Sequence, residues 1–334
     1  DATTYPTVLV MRKRAPAEEH KFQALTVDDI AVVDHLPEVV RRQVWLQPQA
    51  SLSEKGWSLV RPEVQALLKK LRERGRPLGD YVEGRFYRGI VTGCNRAFVI
   101  DSATRDRIVA EDPRSTDVIR PWLRGRDLER WRVEWSELYL IYVPWEFPIE
   151  EYTVVYDHLK QYQDRLSRRP EVREGRYPWY ALSRYAAKYA DQFSKPKIIY
   201  PHFNVETSFA YDDRGALSND KTYIIPDLSF YLLGVLNTRA VEFFLRQICP
   251  SVQQGYMEFR TIYIEQIPIP TPTSVQREAI EALVRKLLDA QGEGLQVPEW
   301  ERELNALVYE VYGLTEEEIA IVEGETTSDG GNTR

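Results

Sequence analysis

The sequence predicts an α+β fold, in which a mixed, β-rich region is followed by a C-terminal helical segment. Short runs rich in β-branched and aromatic residues recur through the middle of the chain, for example at residues 138–143 and 222–225. Apolar residues spaced three or four apart dominate after residue 274. A proline-rich stretch at residues 267–272 separates the two patterns. Strands and helices segregated along the chain in this way are typical of the α+β class.

The N-terminal part of the chain is predicted to be one strand followed by a linker. Residues 4–11 have the composition of a strand, and a single strand cannot bury itself. We therefore expect its partner strands to lie in sequence that precedes residue 1. Residues 15–60 have weak periodicity and predict a linker with one short helix.

Helices and short strands are predicted to alternate through the central region. Pro62 begins a helix with an apolar stripe, and Gly75 ends it. Residues 151–169 and 228–248 are also predicted to be helical. The predicted strands comprise residues 85–91, 97–101, 138–143, 197–200, 207–211, 222–225 and 261–264.

The C-terminal region is predicted to be a proline connector and two helices. Alternating prolines lack amide hydrogens, so residues 267–272 should form a stiff, extended connector without regular strand pairing. Residues 280–288 and 304–311 each carry an apolar stripe of helical period. Residues 329–334 are predicted to be a frayed tail.

Composition excludes several classes of protein. The 334 residues suit about two domains, and no apolar run approaches the ~18 residues that a membrane span needs. No signal peptide is evident. Cys94 and Cys249 do not suggest a disulfide framework, so we expect a reducing, cytoplasmic location without membrane partners. The four scattered histidines give no indication of a zinc site.

The net charge of −7 conceals an uneven distribution. Residues 61–132 carry 17 Lys or Arg and 11 Asp or Glu, and residues 160–200 carry 10 and 4. Residues 274–334 carry 5 Lys or Arg and 14 Asp or Glu, which makes the tail acidic. A locally positive surface is sufficient for contact with phosphates. Solvated, arginine-rich faces are the alternative explanation of the two basic segments.

Motifs for catalysis are absent from the sequence. An amino-methyltransferase needs a glycine-rich turn for S-adenosylmethionine and an Asn/Asp-Pro-Pro-aromatic loop for the flipped base, and neither occurs. Gly89 and Gly93 lack the fingerprint spacing and a following helix. No Walker A motif, nuclease-like carboxylate set or Gly-x-Ser-x-Gly elbow is present. We therefore expect no catalytic residues, no metal and no bound cofactor in this chain.

Basic and aromatic residues interleave at residues 85–88 (RFYR) and 176–185 (RYPWYALSRY). Such mixtures favour DNA binding, because arginine reaches phosphates and guanine edges while Tyr and Trp pack on the sugars. A place in the core is the alternative for most of these aromatic residues.

Six phrases of the sequence carry a resemblance to a known family. They are residues 87–101 (YRGIVTGCNRAFVID), 119–128 (IRPWLRGRDL), 179–184 (WYALSR), 195–199 (KPKII), 232–238 (LLGVLNT) and 267–270 (IPIP) with Gln276. In their order and spacing, from about residue 61 to 290, these phrases resemble the TaqI-like C-terminal specificity domain of type IIG restriction–methylation enzymes and related adenine methyltransferases.

The resemblance implies a domain organisation and a partner. Residues 1–60 would hold the last strand of an otherwise missing methyltransferase domain, plus a linker. Residues 61–270 would form a target-recognition domain for double-stranded DNA, and residues 271–334 a helical C-terminal segment and tail. The parent protein would methylate adenine N6, with S-adenosylmethionine bound in its missing N-terminal domain. Type IIG members would also cleave DNA.

The candidate DNA-binding residues lie mainly in loops of these phrases. The turn between Gly89 and Gly93 allows close backbone approach, although it could equally be a buried turn. One arginine of residues 119–128 is expected to pair with Asp127 and to leave the others for phosphates. Residues 251–256 form a polar loop whose glutamines suit adenine edges, or else an ordinary solvated loop. The predicted contacts are Arg88, Thr92, Asn95, Arg96, Arg120, Arg124, Arg126, Arg184, Lys195, Lys197, Gln253, Gln254 and Tyr256.

The predicted function is therefore sequence-specific recognition of double-stranded DNA, as the specificity domain of a restriction–modification methyltransferase. The alternative is a protein-interaction scaffold that docks a methyltransferase without contacting DNA. A steep salt dependence of DNA binding would separate the two, since a scaffold releases no counterions. A nuclease is a third hypothesis, which metal-dependent cleavage would reveal.

Overall fold

The α+β class is confirmed by a computed structural model, which describes residues 8–17, 19–26, 35–52, 59–226, 229–250, 252 and 255–324. The strands are β1 (Lys21–Ala24), β2 (Trp45–Pro48), β3 (Gly75–Pro77), β4 (Tyr87–Arg88), β5 (Val99–Ile100), β6 (Ile119–Leu123), β7 (Leu128–Glu129), β8 (Arg132–Val133), β9 (Tyr139–Ile141), β10 (Lys197–Pro201), β11 (Phe203–Asn204), β12 (Ala210–Asp212), β13 (Leu217–Ser218), β14 (Thr222–Ile225), β15 (Met257–Glu258) and β16 (Pro268–Pro270). The helices are α1 (Leu36–Gln43), α2 (Pro62–Arg74), α3 (Leu78–Tyr81), α4 (Asn95–Phe98), α5 (Ser102–Glu111), α6 (Thr153–Lys160), α7 (Gln163–Ser167), α8 (Pro170–Arg173), α9 (Phe230–Leu236), α10 (Arg239–Ile248), α11 (Thr261–Ile264), α12 (Ser274–Asp289), α13 (Val297–Tyr312) and α14 (Glu316–Glu323).

Among the described residues, two four-stranded sheets form the centre of the fold. The first sheet has the strand order β12-β10-β14-β4 and is antiparallel throughout. The second has the order β13-β6-β9-β5, in which β13 runs parallel to β6 and the other pairs are antiparallel. Neither order follows the chain, so both sheets join segments that are distant in sequence.

The first sheet lies between two hydrophobic cores. Successive residues of a strand point to opposite faces of a sheet. In β10, Ile198 contributes to one core and Ile199 to the other, and in β14 Ile225 and Ile224 are divided in the same way. Because this sheet is buried on both faces, its strands form continuous apolar runs, which is why residues 222–225 could be predicted from sequence.

The C-terminal helices belong to the first of these cores. Ile280 of α12 and Leu304 of α13 are buried in the same cluster as Leu67 of α2 and Ile264. A capping box at Thr273 begins α12. Helices at residues 280–288 and 304–311 are thus confirmed, although the predicted boundary at residue 270 does not separate two cores.

The N-terminal part has more structure than a linker. Strands β1 and β2 pair with each other, and α1 lies between them in the sequence. Residues 4–7 of the predicted strand lie outside the described residues. Residues 8–11 are exposed and do not form a strand, so the prediction is wrong there. A strand requires a partner for its backbone groups, and none of the described segments pairs with them.

Three further predictions were wrong, because tertiary contacts outweigh local preference. Residues 261–264 have the composition of a strand but form α11, where Ile264 is buried and its amide bonds to the Arg260 carbonyl. The predicted helix at 151–169 is divided into α6 and α7, and residues 97–98 are helical instead of extended.

The proline connector does pair, contrary to the prediction. Strand β16 is antiparallel to β3, with Ile269 opposite Arg76 and Pro268 opposite Pro77. In an antiparallel pair only alternate residues exchange hydrogen bonds across the ladder. Pro268 and Pro270 occupy the intervening positions, so their missing amide hydrogens leave the ladder intact.

Candidate nucleic-acid interface

One edge of the first sheet brings distant basic residues together. Tyr223 of β14 pairs with Arg88 of β4, and the loop before β14 places Asp220 and Lys221 beside them. Arg88 Nε donates to the Asp220 carbonyl at 2.9 Å. The side chains of Arg88 and Lys221 are 44% and 57% exposed, so both cations face solvent.

Three further cations border this edge. The loop of Arg126 packs against the backbone of Lys221. Val91 and Arg184 exchange backbone hydrogen bonds of 3.0 and 2.9 Å, which places Arg184 beside the end of β4. Arg260 lies two residues after β15. Strand β15 pairs with β11, and β11 follows β10 of the first sheet after a single residue. We call the surface formed by Arg88, Arg126, Arg184, Lys221 and Arg260 the basic face.

Aromatic side chains support the basic face. Tyr87 and Tyr189 stack with 4.7 Å between ring centroids, and the Tyr189 hydroxyl donates to the Arg88 carbonyl at 3.1 Å. His202 and Phe203 stack at 4.3 Å between centroids. These contacts fix the backbone from which the cations project.

Two carboxylates moderate the charge of the basic face. Asp220 lies 3.3 Å from Arg88, and Glu258 lies 3.1 Å from Arg260 Nε. His202 Nε2 is 3.2 Å from Glu258. Burial lowers the pKa of His202 below its ordinary value, although Glu258 acts in the opposite direction. His202 is therefore largely neutral at pH 7, and the positive charge comes from the arginines and Lys221.

Two glycines allow the loop after β4 to approach its neighbours closely. The carbonyl oxygen of Asn219 occupies the space that a side chain at Gly89 would need. At Gly93 the hydroxyl of Ser183 does the same, and the φ angle of 75° also favours glycine. These approaches join the loop to the segments that carry Lys221 and Arg184.

The polar residues of this loop have different roles. Thr92 is 5% exposed, and its hydroxyl donates to Asn95 Oδ1 at 2.6 Å. That hydroxyl oxygen also accepts from the Cys94 amide at 3.2 Å. Thr92 therefore orders the loop instead of presenting its hydroxyl to a ligand, whereas Asn95 and Arg96 are exposed.

The three arginines of residues 119–128 have different surroundings. Arg124 donates to the Asp127 carboxylate through Nε at 3.0 Å and through its terminal nitrogen at 2.7 Å. Asp127 is only 2% exposed. Arg120 donates to Ser194 Oγ at 3.0 Å, and Arg126 is exposed. The expectation that one arginine pairs with Asp127 is thus confirmed for Arg124, which leaves Arg126 to face solvent.

Replacing Arg124 with alanine should lower the free energy of unfolding by about 2–4 kcal/mol, because a buried carboxylate loses its charged partner. Arg126→Ala is the matched control, and as an exposed substitution it should change stability by less than about 0.5 kcal/mol. Urea titration followed by tryptophan fluorescence measures both values. Equal stability of the two variants would contradict the structural role of Arg124.

Lys195 and Lys197 differ completely in their exposure to solvent. Lys195 is exposed, 3.4 Å from Asp191. Lys197 is fully buried, and its Nζ donates to the Phe193 carbonyl at 2.7 Å and to Asp212. Burial lowers the pKa of Lys197 despite the neighbouring carboxylate. The assignment of Lys197 to a DNA contact is therefore wrong for this fold, in which the lysine holds β10 to β12.

The remaining predicted residues fall at positions 253–256 of the sequence. Gln253 and Gln254 are outside the described residues. Tyr256 is 39% exposed and directly precedes β15, the strand that leads to Arg260.

Several residues of this surface were missed in the sequence. Lys221 could have been identified, because the polar turn at residues 218–221 directly precedes a clearly predicted strand. Arg260, His202 and Phe203 are isolated in the sequence and carry no comparable signal. Their common location depends on the pairing of β11 with β15, which no local pattern reveals.

Neither a metal centre nor a membrane span is found in the parts of the chain that the structure describes. No group of three or more His, Cys, Asp or Glu side chains there could hold a metal ion. No helix there has both the length and the apolar character needed to cross a bilayer.

The family model of the TaqI-like C-terminal specificity domain matches residues 120–269. This range lies within residues 61–290, where the sequence resembles that family. It contains four members of the basic face, and Arg88 pairs with one of its strands.

Two curated relatives are type II methyltransferases. M.BstVI of Geobacillus stearothermophilus is 20% identical over 276 residues, which are 80% of this chain and 46% of that protein. M.BanIII of Aneurinibacillus aneurinilyticus is 27% identical over 143 residues, which are 39% of this chain and 24% of that protein. The chain thus spans less than half the length of these relatives.

The comparison with solved structures matches parts of a restriction–modification enzyme and of a restriction endonuclease. The type IIL enzyme MmeI, solved in complex with DNA, has a TM-score of 0.52 and 14% identity, covering 72% of this chain and 35% of that one. The type IIG restriction endonuclease BpuSI has a TM-score of 0.47 and 12% identity, and the match covers 81% of this chain and 35% of that one. The likeness to MmeI shows a shared fold.

Proposed function

Because the chain carries a TaqI-like C-terminal specificity domain at residues 120–269, we propose that it binds double-stranded DNA through the basic face. In this role it is the recognition unit of a restriction–modification methyltransferase. The observation that supports the proposal is that five exposed cations from separate segments lie at or beside one edge of the first sheet. Arginine and lysine in this arrangement suit the phosphates of a duplex.

The net charge of −7 is compatible with this proposal. Residues 274–334 hold 14 of the 51 acidic residues, so much of the negative charge is outside the basic face. At physiological ionic strength, screening limits the reach of exposed charges to about 8 Å. A phosphate therefore responds mainly to the local cations.

We also propose that a separate methyltransferase domain performs the chemistry, with S-adenosylmethionine as methyl donor and adenine N6 as acceptor. Within the described part of the chain, the glycine pair nearest to a cofactor-binding motif, Gly89 and Gly93, does not fit that cofactor. The glycines at 89 and 93 form no open cradle, because Asn219 and Ser183 occupy the adjoining space. The contribution of this chain is to bind the site and present it to that domain.

Replacing Arg88, Lys221 and Arg260 together with glutamine should weaken DNA binding and lower its salt dependence. Each lost phosphate contact reduces the slope of log K against log salt by about 0.9, so three lost contacts reduce it by about 2.7. Fluorescence anisotropy with a labelled 24-base-pair duplex, at several salt concentrations, measures the slope. Circular dichroism establishes that the variant is folded.

A triple variant of exposed cations elsewhere, Lys69→Gln/Arg107→Gln/Arg302→Gln, has the same change in net charge. It should leave the salt slope unchanged, since these residues lie on α2, α5 and α13 and not on the segments that form the basic face. Equal slopes for the two triple variants would show that the basic face is not the binding surface. Absence of DNA binding by the parent chain at low salt would support a protein-docking scaffold instead.

A further inference from the structure

The β11–β15 ribbon exposes apolar side chains beside the basic face. Phe203, Val205 and Tyr256 are 39%, 40% and 39% exposed. Single exposed apolar residues are ordinary on a protein surface, but a group of three on one small ribbon indicates a contact site. We call these three residues the apolar ridge.

The register of the ribbon explains why the ridge faces outward. Phe203 pairs with Glu258, and Asn204 pairs with Met257. Met257 is 3% exposed and points into the core, so the alternation of the strand directs Phe203 outward. By the same alternation, Val205 and Tyr256 follow on the outer side.

The ridge is held rigidly from behind. The Phe259 amide donates to the His202 carbonyl at 2.8 Å, beside the ring stack of His202 on Phe203. Arg246 donates to the Val205 carbonyl at 2.9 Å. A ligand would therefore meet preordered side chains, which lowers the entropic cost of binding.

Cations border the ridge. Lys221 is joined to His202 by a backbone hydrogen bond of 2.8 Å, and Arg260 lies two residues beyond Glu258. The side chains of Arg246 and Arg260 are 47% and 46% exposed. An apolar strip between exposed cations is complementary to a duplex groove, in which apolar base groups lie between two phosphate backbones.

We propose that the ribbon enters the major groove and that the apolar ridge contacts the 5-methyl groups of thymine. The major groove admits a two-stranded ribbon, and the thymine methyl is its characteristic apolar group. This inference rests on the proposed function, since it requires that the basic face binds a duplex. It assigns to Phe203, Val205 and Tyr256 a role in distinguishing thymine from the other bases.

The test uses this chain and duplexes selected by it from a random-sequence library. Each thymine of the selected motif is replaced in turn by uracil, which removes one methyl group and leaves base pairing unchanged. At one thymine or more, uracil should weaken binding by about fourfold, the effect of one buried methyl-sized group. Phe203→Ala, Val205→Ala and Tyr256→Ala are then measured singly on both duplexes.

At least one of the three variants should remove the uracil penalty, while Val275→Ala should retain it. Val275 is a matched control because it is 76% exposed and lies on α12. Equal binding of thymine and uracil duplexes by the parent chain would overturn the inference, as would a uracil penalty that survives in all three variants. Failure to enrich any thymine-containing motif would also overturn it. The proposed function is tested separately: it fails if the chain binds no duplex at low salt, or if the two triple variants have equal salt slopes.

Discussion

Replacing Lys197 with methionine should lower the free energy of unfolding by about 3–5 kcal/mol, because it leaves the buried carboxylate of Asp212 without its cation. Both side chains of this pair are fully buried. Asp212 also accepts from the amides of Arg214 and Ala216, each at 3.2 Å. The pair therefore holds the turn between β12 and β13 as well as the β10–β12 register, and its loss should affect the whole first sheet.

The double variant Lys197→Met/Asp212→Asn is the control for this prediction. An asparagine keeps an oxygen that can accept from the turn amides, but it carries no charge to be left unpaired. The double variant should therefore recover most of the stability that Lys197→Met loses. Urea unfolding followed by circular dichroism measures all three proteins. A double variant no more stable than Lys197→Met would show that shape, and not the unpaired charge, is decisive.

The second large effect is expected at Arg169, which is 8% exposed. Its guanidinium donates to the carbonyls of Trp179 and Ala181 at 2.5 and 2.9 Å, and lies 3.4 Å from the carbonyl of Thr92. Burial lowers the pKa of Arg169. Arg169→Met should lower the free energy of unfolding by about 3 kcal/mol, because several buried carbonyl groups lose their donor.

Arg168→Met is the matched control, since Arg168 is adjacent and exposed. It should change stability by less than about 0.5 kcal/mol. Hydrogen exchange provides a second measurement, because Arg169 joins the segment before Arg184 to the loop after β4. If the Val91 and Arg184 amides exchange faster in Arg169→Met but not in Arg168→Met, the loss of stability lies at the contact between the loop after β4 and the segment of Arg184. Similar stability of the Arg168 and Arg169 variants would contradict this role.

The sequence predicts those elements whose burial pattern is local. Residues 222–225 form a strand as predicted, and the helix that begins at Pro62 ends at Gly75 as predicted. Residues 261–264 show the limit, because a β-branched run there is helical once Ile264 is drawn into the core. Local preference is weaker than such tertiary contacts.

The candidate site was predicted in part, for a similar reason. Arg88 and Arg184 were identified from interleaved basic and aromatic residues, and both belong to the basic face. Lys197 was included wrongly, since a lysine in a polar phrase gives no sign that it will be buried against Asp212. Arg260 was missed because its neighbourhood depends on strand pairing between distant segments.

The common core of the C-terminal helices has a consequence for exchanging specificity between enzymes. A chimera joined at residue 270 would separate Ile280 and Leu304 from Leu67 and expose the apolar surfaces of both fragments. Grafting should therefore transfer α2 through α14 as one unit, with junctions before Pro62 and after Glu323. By contrast, the side chains of the basic face are exposed and belong to neither core, so they can be substituted without repacking the interior.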